Sequence, residues 1–266
     1  MSMLSIIKTG INATNKDLAV ISNNIANVST NGFKKSDAQF EDMYFSQHND
    51  STTKSTGMGV KNIKPRQSFS QGSLQFTNGS LDLAIMGEGF FIIGDKIGTT
   101  PQVTTNKYTR DGSFQLDRLG NIVNTDGLPL LGEGEIPINV PVTLQNNAGS
   151  PLVISEIKVK DSGSIDVTYG LDTTQTVGKI LIADFVNEHG LKQLGNSQFE
   201  ETPESGVPTF GFAKEGTFGK LMPGHLEKSN TDITDELVTM LRTQHAFNGC
   251  SKILQSDVDT VKRLIG

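Results

Sequence analysis

The sequence predicts an α+β protein in which long N- and C-terminal helices pair as a coiled-coil-like domain. Between them in the sequence lies a β-rich middle domain of short antiparallel strands. Two observations predict this class. Apolar residues recur in a seven-residue pattern at both ends of the chain, which is typical of helices that pair. The middle contains many turn dipeptides, and 28 of the 266 residues are Gly, so its apolar runs are short.

The C-terminal helix is predicted over residues 231–265. Acidic residues fall in its first turn, and Lys262 and Arg263 fall in its last turn, as the helix dipole favours. Such a helix would be roughly 50 Å long, which is more than a compact domain of this size needs. Its apolar repeat has polar interruptions at Gln244 and Ser251 and forms one half of a predicted assembly interface. This half consists of Ile233, Leu237, Met240, Phe247, Leu254, Val258, Val261 and Ile265.

The N-terminal helix is predicted within residues 1–30 and supplies the other half of that interface. Its apolar residues repeat with the same spacing, with Thr14 as a polar member. They are Leu4, Ile7, Ile11, Leu18, Ile21, Ile25 and Val28. Two interpretations remain open: a helical hairpin that caps an ordinary domain, or a self-assembling subunit whose two ends build the contacts.

The middle of the chain is predicted to consist of strands and turns. The whole chain divides into four predicted regions. Residues 1–34 hold the first helix, 35–65 a polar linker or extended stretch, 66–228 the β-rich domain and 229–266 the last helix. Within the stretch, residues 45–56 have no apolar period and read as a loop or mobile linker. Asn78-Gly79, Asp111-Gly112 and Asp126-Gly127 are turn dipeptides of the kind that join antiparallel strands.

Composition argues against several classes of function. The net charge of −6 disfavours nucleic acid as a partner, and no apolar run is long enough to span a membrane as a helix. With Cys250 as the only cysteine, an internal disulfide is excluded. Gly87 and Gly89 lack the third glycine of a dinucleotide loop, and the aspartates do not have calcium-loop spacing. We predict no catalytic residue, no cofactor and no metal, and no cleaved signal peptide.

Residues 21–33, ISNNIANVSTNGF, resemble the signature near the N-terminus of the bacterial flagellar axial family, the rod and hook proteins. The matching positions are Asn23, Asn24, Asn27, Thr30, Gly32 and Phe33. Residues 81–91, LDLAIMGEGFF, and 108–123, YTRDGSFQLDRLGNIV, resemble internal motifs of the family. Residues 226–230, LEKSN, resemble its junction before the C-terminal helix. The resemblance covers nearly the whole chain and is weakest at 135–175.

The resemblance implies a structural protein that is not an enzyme. It implies a subunit that self-assembles into a helical tube, with the terminal helices as an inner layer around a channel and the β-rich middle as an outer layer. The implied partners are further copies of the chain and the neighbouring rod, hook and ring proteins, with no nucleic acid and no membrane span. The implied location is the flagellar basal body or hook, reached by export through the flagellar channel.

The length of the chain favours the distal rod over the hook within this family. Hook proteins usually carry an extra outer domain after the motif that matches residues 130–132, and too few residues follow here before the next shared strand, near residue 165. Residues 10–27 and 66–72 instead look closer to the hook protein, so a short hook protein is the alternative. A β-rich module that acts on or binds carbohydrate is the alternative from a different class.

Overall fold

The structure is a computed structural model that describes residues 3–47, 54–94, 106–145, 151–170 and 173–265. The chain divides into two compact units. Unit 1 consists of Met1–Val28, Lys35–Ser68 and Thr231–Gly266, and unit 2 consists of Ser29–Lys34 and Phe69–Asn230. The predicted class, an α+β chain with terminal helices and a middle of short antiparallel strands, is confirmed.

The described residues form two long helices and twenty strands. The helices are α1 (Met3–Ala26) and α2 (Ile233–Ile265). The strands are β1 (Ser36–Asp37), β2 (Phe40–Gln47), β3 (Lys54–Asn62), β4 (Arg66–Gln67), β5 (Leu74–Phe76), β6 (Leu83–Met86), β7 (Phe90–Gly94), β8 (Asn106–Thr109), β9 (Gln115–Leu116), β10 (Ile122–Val123), β11 (Thr143–Gln145), β12 (Pro151–Val159), β13 (Ser164–Tyr169), β14 (Thr173–Lys179), β15 (Leu181–Asp184), β16 (Lys192–Gly195), β17 (Gln198–Glu200), β18 (Thr209–Phe212), β19 (Lys220–Pro223) and β20 (His225–Glu227). Short 3-10 turns lie at Glu133–Glu135 and Glu188–Gly190.

Both helices of unit 1 begin or end at residues whose side chains satisfy backbone groups. Before α2, Asp232 Oδ1 accepts hydrogen bonds from the backbone N–H of Thr234, at 2.8 Å, and of Asp235, at 3.4 Å. This is an N-cap, which supplies acceptors for donors that have no partner inside the helix. After α1, Asn27 Nδ2 donates to the carbonyl of Asn23 at 2.9 Å. Such a local side-chain bond competes with the backbone hydrogen bonds that would continue the helix.

Residues 35–65, for which the sequence predicted a linker or extended stretch, contain a paired hairpin. Strands β2 and β3 run antiparallel, and residues 48–53 of the predicted loop lie outside the described residues. The hairpin lies against α1, where the Val60 N–H donates to Thr9 Oγ1 at 3.3 Å and Asn62 Nδ2 to the Asn12 carbonyl at 3.4 Å. Pairing satisfies the backbone groups of this polar segment, a contribution that its composition does not reveal.

Unit 2 is built on two antiparallel sheets. The larger has the order β16-β17-β8-β7-β15-β18, and the smaller has the order β11-β12-β13-β14. Two-stranded pairs β5-β20 and β6-β19 join early parts of this unit to late ones. The strands predicted at 152–159 and 164–169 are present as β12 and β13.

Strand β7 separates the two hydrophobic clusters of unit 2. Its sequence FFIIG is buried along its whole length. Because successive side chains of a strand point to opposite faces, Phe91 and Ile93 join one cluster, whereas Phe90 and Ile92 join the other. The second cluster is aromatic, with edge contacts between Phe90, Phe185 and Phe199. A continuous apolar run is what a strand covered on both faces requires.

Candidate assembly interface

Helices α1 and α2 pack side by side and antiparallel within unit 1. Their contacts repeat every seven residues, and the residue numbers increase along one helix while they decrease along the other. Asn24 Nδ2 donates to Glu236 Oε2 at 3.2 Å, Thr243 Oγ1 donates to Asp17 Oδ2 at 2.7 Å, and a Cβ on Gly10 would lie 3.7 Å from Cys250 Sγ. A seven-residue period on both partners keeps one face of each helix in contact along its length.

The face of α2 that packs on α1 is more polar than the sequence predicted. Spacing from the three contact residues defines it as Glu236, Met240, Thr243, Phe247, Cys250, Leu254 and Asp257, all buried or half-buried. Three predicted interface residues, Met240, Phe247 and Leu254, belong to it. Cys250 therefore packs between the two helices, next to Gly10.

Much of the predicted α2 stripe is exposed in the single chain. Ile233 and Leu237 are exposed, and so is Leu241, at 56%, which continues the same stripe at four-residue steps. Val258 and Val261 are exposed as well. By the register of the contacts, residue 257 lies opposite Met3, so these two valines extend past the described part of α1. The side chain of Ile265 lies outside the described residues.

The predicted α1 stripe is divided between buried and open positions. Ile21 is buried, whereas Ile7, Ile11, Leu18, Ile25 and Val28 are half-buried and Leu4 is exposed. Ala13 and Val20 are buried although the sequence pattern did not select them. The contact residues Gly10, Asp17 and Asn24 lie one position before the predicted stripe. Because α1 contacts both α2 and the hairpin, its buried surface is wider than one stripe.

The Asn-rich motif contributes a bonded residue to unit 1. Asn24 is 1% exposed; its Nδ2 donates to the Ser36 carbonyl at 2.8 Å and its Oδ1 accepts from the Ser36 N–H at 3.0 Å. With its bond to Glu236, this side chain joins α1, β1 and the start of α2. Asn23 is exposed, and its carbonyl accepts the side-chain bond from Asn27.

The end of the motif belongs to unit 2. Gly32 has φ of 63°, and a Cβ there would collide with the backbone of Arg110 and Asp111, so only Gly fits. Phe33 is 5% exposed, and its carbonyl accepts from the Asn230 N–H at 3.4 Å. Thr30 is exposed. These bonds tie the N-terminal motif to the residues that precede α2.

Beside this motif lies a buried cluster of charged side chains that the sequence did not predict. Lys34 Nζ lies 2.7 Å from Glu227 Oε1, with side-chain exposures of 1% and 0%. The nearest guanidinium nitrogen of Arg110 lies 3.7 Å from Glu227 Oε2. Burial lowers the pKa of Lys34, and the charge of Glu227 opposes that effect. The residues stand next to family motifs, but a sequence does not show which of its many charges are buried together.

No catalytic arrangement emerges from the described residues. They contain no group of three His, Cys, Asp or Glu side chains placed to hold a metal ion. An acidic depression is lined by Glu88 and residues 184–189. In it, burial raises the pKa of Glu188 to about 7. Neither helix has the length and apolarity needed to cross a bilayer, within the part of the chain described.

Comparison with known proteins identifies the class. Three family profiles match the chain: the flagella basal body rod protein family at residues 7–34, the flagellar hook protein FlgE/F/G D1 domain at 84–167, and the flagellar basal body rod FlgEFG protein C-terminal region at 222–265. Together with the relatives below, they show that the chain belongs to the family of bacterial flagellar rod and hook proteins.

Within this family the chain is similar to rod proteins over nearly its full length. It is 36% identical to the flagellar basal-body rod protein FlgG of Buchnera aphidicola (Schizaphis graminum), over 98% of this chain and 97% of that one. It is 32% identical to FlgG of Bacillus subtilis, over 93% and 92%. The flagellar hook protein FlgE of Escherichia coli is 24% identical, over 96% and 95%.

These relatives confirm the prediction of a structural flagellar subunit, with the distal rod favoured over the hook. The short hook alternative is not better supported, since the rod relatives are the more similar ones. Family membership also places the protein in the flagellar rod or hook, where such proteins assemble into polymers with other flagellar components. The homologues are structural proteins rather than enzymes.

Proposed function

We propose that this protein polymerises into the helical tube of the distal rod through its terminal helices. The subunit would encircle the export channel and transmit torque. Its own copies and the adjacent rod, hook and ring proteins are its partners, and it reaches them through that channel. A subunit that stacks with a rotation that does not close forms such a tube. Family membership supports the assembly, and the helix surfaces support the location of its contacts.

The exposed apolar stripe on α2, Ile233, Leu237 and Leu241, is the observation that carries the proposal. Each side chain is about half exposed in the single chain, at 47%, 46% and 56%. An amphipathic helix normally turns its apolar face towards a partner, and burying such side chains stabilises association by about 25 cal/mol per Å² of apolar surface. Neighbouring copies would cover this face in the tube.

We also propose that α1 and α2 pair in the manner of a coiled coil. The antiparallel contacts at seven-residue steps on both helices support this pairing. The polar members, such as Asp17 with Thr243, fix the register of the two helices, because a shifted register would leave a carboxylate in the interface without its hydroxyl partner. The apolar positions that this pair leaves exposed are then available for contacts between copies.

Electron microscopy of purified protein with Leu237→Asp and Leu241→Asp tests the proposal. Both side chains are exposed, so the single chain should still fold, with unchanged helix content by circular dichroism. Tubes should be lost, because assembly would bury two carboxylates without partners. The control variant carries Val186→Asp and Val207→Asp, two residues of unit 2 that are 93% and 85% exposed. We expect that control to form tubes. Normal tubes from the α2 variant would refute assembly through this face.

A further inference from the structure

Glu227 binds parts of the chain that lie far apart in sequence. Its carbonyl accepts from the Gly32 N–H at 2.8 Å. Its carboxylate oxygen Oε1 accepts from Lys34 Nζ at 2.7 Å and from the Gly72 N–H at 2.9 Å. The chain enters or leaves unit 2 at residues 29, 34, 69 and 230. Glu227 therefore joins its own segment, which ends at residue 230, to residues 29–34 and to the segment that begins at residue 69.

Other bonds tie the same three segments together. Lys34 Nζ donates to the Ser70 carbonyl at 2.9 Å, and Asn230 Nδ2 donates to that carbonyl at 3.1 Å. The Lys228 N–H donates to the Ser73 carbonyl at 2.9 Å. We call residues 31–34, 70–73 and 227–230 the junction. Each of its segments is bonded to both of the others, so movement of one segment breaks bonds in all three.

The charges at the centre of the junction are poorly suited to adding stability. Lys34 and Arg110, two buried cations, face the Glu227 carboxylate. Glu227 Oε2 and Arg110 Nε are buried and have no hydrogen-bond partner among the described residues. Removing such groups from water costs more free energy than an incompletely bonded pair returns. In some proteins, buried ionic groups restrict the chain to one arrangement, because the alternatives leave a charge unpaired.

We propose that Glu227 is a positioning residue for assembly: through Lys34 and the Gly72 N–H it fixes the points at which the chain leaves unit 2 towards both terminal helices. This inference rests on the proposed function, because fixed exit points matter when every copy in a tube must present its helices identically. Loss of the Lys34–Glu227 pair loosens the junction first, while the two hydrophobic clusters of unit 2 remain closed.

Hydrogen exchange measured by mass spectrometry on the full chain tests the positioning role. In Lys34→Met, peptides covering the junction should exchange faster by about tenfold or more, whereas peptides covering β7 and β15 in the core should change by less than about twofold. The matched control is Lys192→Met, which breaks an exposed pair with Glu200 at 2.8 Å in the same unit and should change neither. Glu227→Gln, which keeps an acceptor for the Gly72 N–H, provides a second and milder variant.

Exchange that rises equally in junction and core would show that the pair acts on global stability and would overturn the proposal. Unchanged exchange in both variants would overturn it as well. The second readout is tube formation: we expect Lys34→Met to lower the yield of regular tubes at least about tenfold, and normal tubes from a loosened junction would refute the role in assembly. If the wild-type protein forms no tubes, the proposed function fails, but the exchange comparison still decides whether Glu227 fixes the junction.

Discussion

Glu188 is a carboxyl group of unit 2 whose raised pKa brings its titration close to neutral pH. Burial is the largest cause of its raised pKa of about 7. The charged groups that act on it are Arg110 and Lys34, which lower the pKa, and Glu88 and Asp184, which raise it. Its Oε1 is buried without a hydrogen-bond partner among the described residues. Folding therefore shifts this carboxyl towards its protonated form.

The sign of the resulting pH dependence follows from linkage. Between the usual carboxyl pKa of 4.5 and about 7, the folded protein holds a proton that the unfolded chain releases, so stability falls as the pH rises through this range. The effect is about 1–2 kcal/mol, less than the full shift implies, because Glu188 is only partly buried and water screens it. In urea unfolding, the free energy of unfolding of the wild type should fall between pH 5 and pH 8, and about 1–2 kcal/mol of that fall should come from Glu188. In Glu188→Gln the fall should be smaller by about this amount. The control Glu204→Gln, at an exposed position, should behave as the wild type does; an equal loss in Glu188→Gln would contradict the prediction.

Residue-level roles were the least accessible to sequence analysis. The motif that ends at Gly32 and Phe33 could be located from its residue types, since a Gly with positive φ and a buried aromatic leave a recognisable pattern. The Lys34–Glu227 pair could not, because its members are 193 positions apart and nothing local distinguishes them from the exposed Lys and Glu side chains around them. Only the fold brings them together.

The start of α2 depends on the Asp232 cap. Asp232→Ala removes the acceptor for the Thr234 and Asp235 N–H groups and should lower the free energy of unfolding of unit 1 by about 1 kcal/mol. The far-UV circular dichroism signal of the helices during urea unfolding measures this change. Asp259→Ala, an exposed position in the same helix, should have little effect. Asp232→Ser should restore most of the loss, and a variant without a cap that is as stable as the wild type would show that packing alone sets the start of α2.

At the level of elements, the helices were predictable but their contact faces were not. The seven-residue period gave α1 and α2 to within a few residues. A seven-residue period does not by itself decide which of two neighbouring faces of a helix makes the contact, however. In α1 the successive residues Val20 and Ile21 are both apolar and both buried. The register is set by Asn24 with Glu236 and Asp17 with Thr243, which are polar pairs that a search for apolar residues passes over. The hairpin β2-β3 was missed for a related reason: its cohesion comes from backbone pairing.

For the molecule as a whole, unit 2 depends on contacts between its short first segment, residues 29–34, and the C-terminal end of its long segment. A chain that ends at Asn230 lacks α2 but keeps the junction, and its tyrosine near-UV circular dichroism should retain the signals of Tyr108 and Tyr169, both 0% exposed. A chain that ends at Gly224 also lacks β20 and leaves Lys34 and Arg110 buried without Glu227. Its unit 2 should be less stable in urea by about 3–5 kcal/mol, because it loses the pairing of β20 with β5 in addition to the charge of Glu227. Equal stability of the two truncated chains would contradict this dependence.

The pairing of β20 with β5, and of Glu227 with Lys34, also governs when the subunit can fold. A chain that is delivered from its N-terminal end presents residues 29–34 and 69–76 long before their partners at 225–227 arrive. Contacts of such sequence separation form late, because the intervening chain must first be closed into a loop. Unit 2, whose segments are discontinuous in sequence, therefore cannot complete its folding until β20 is available to pair with β5.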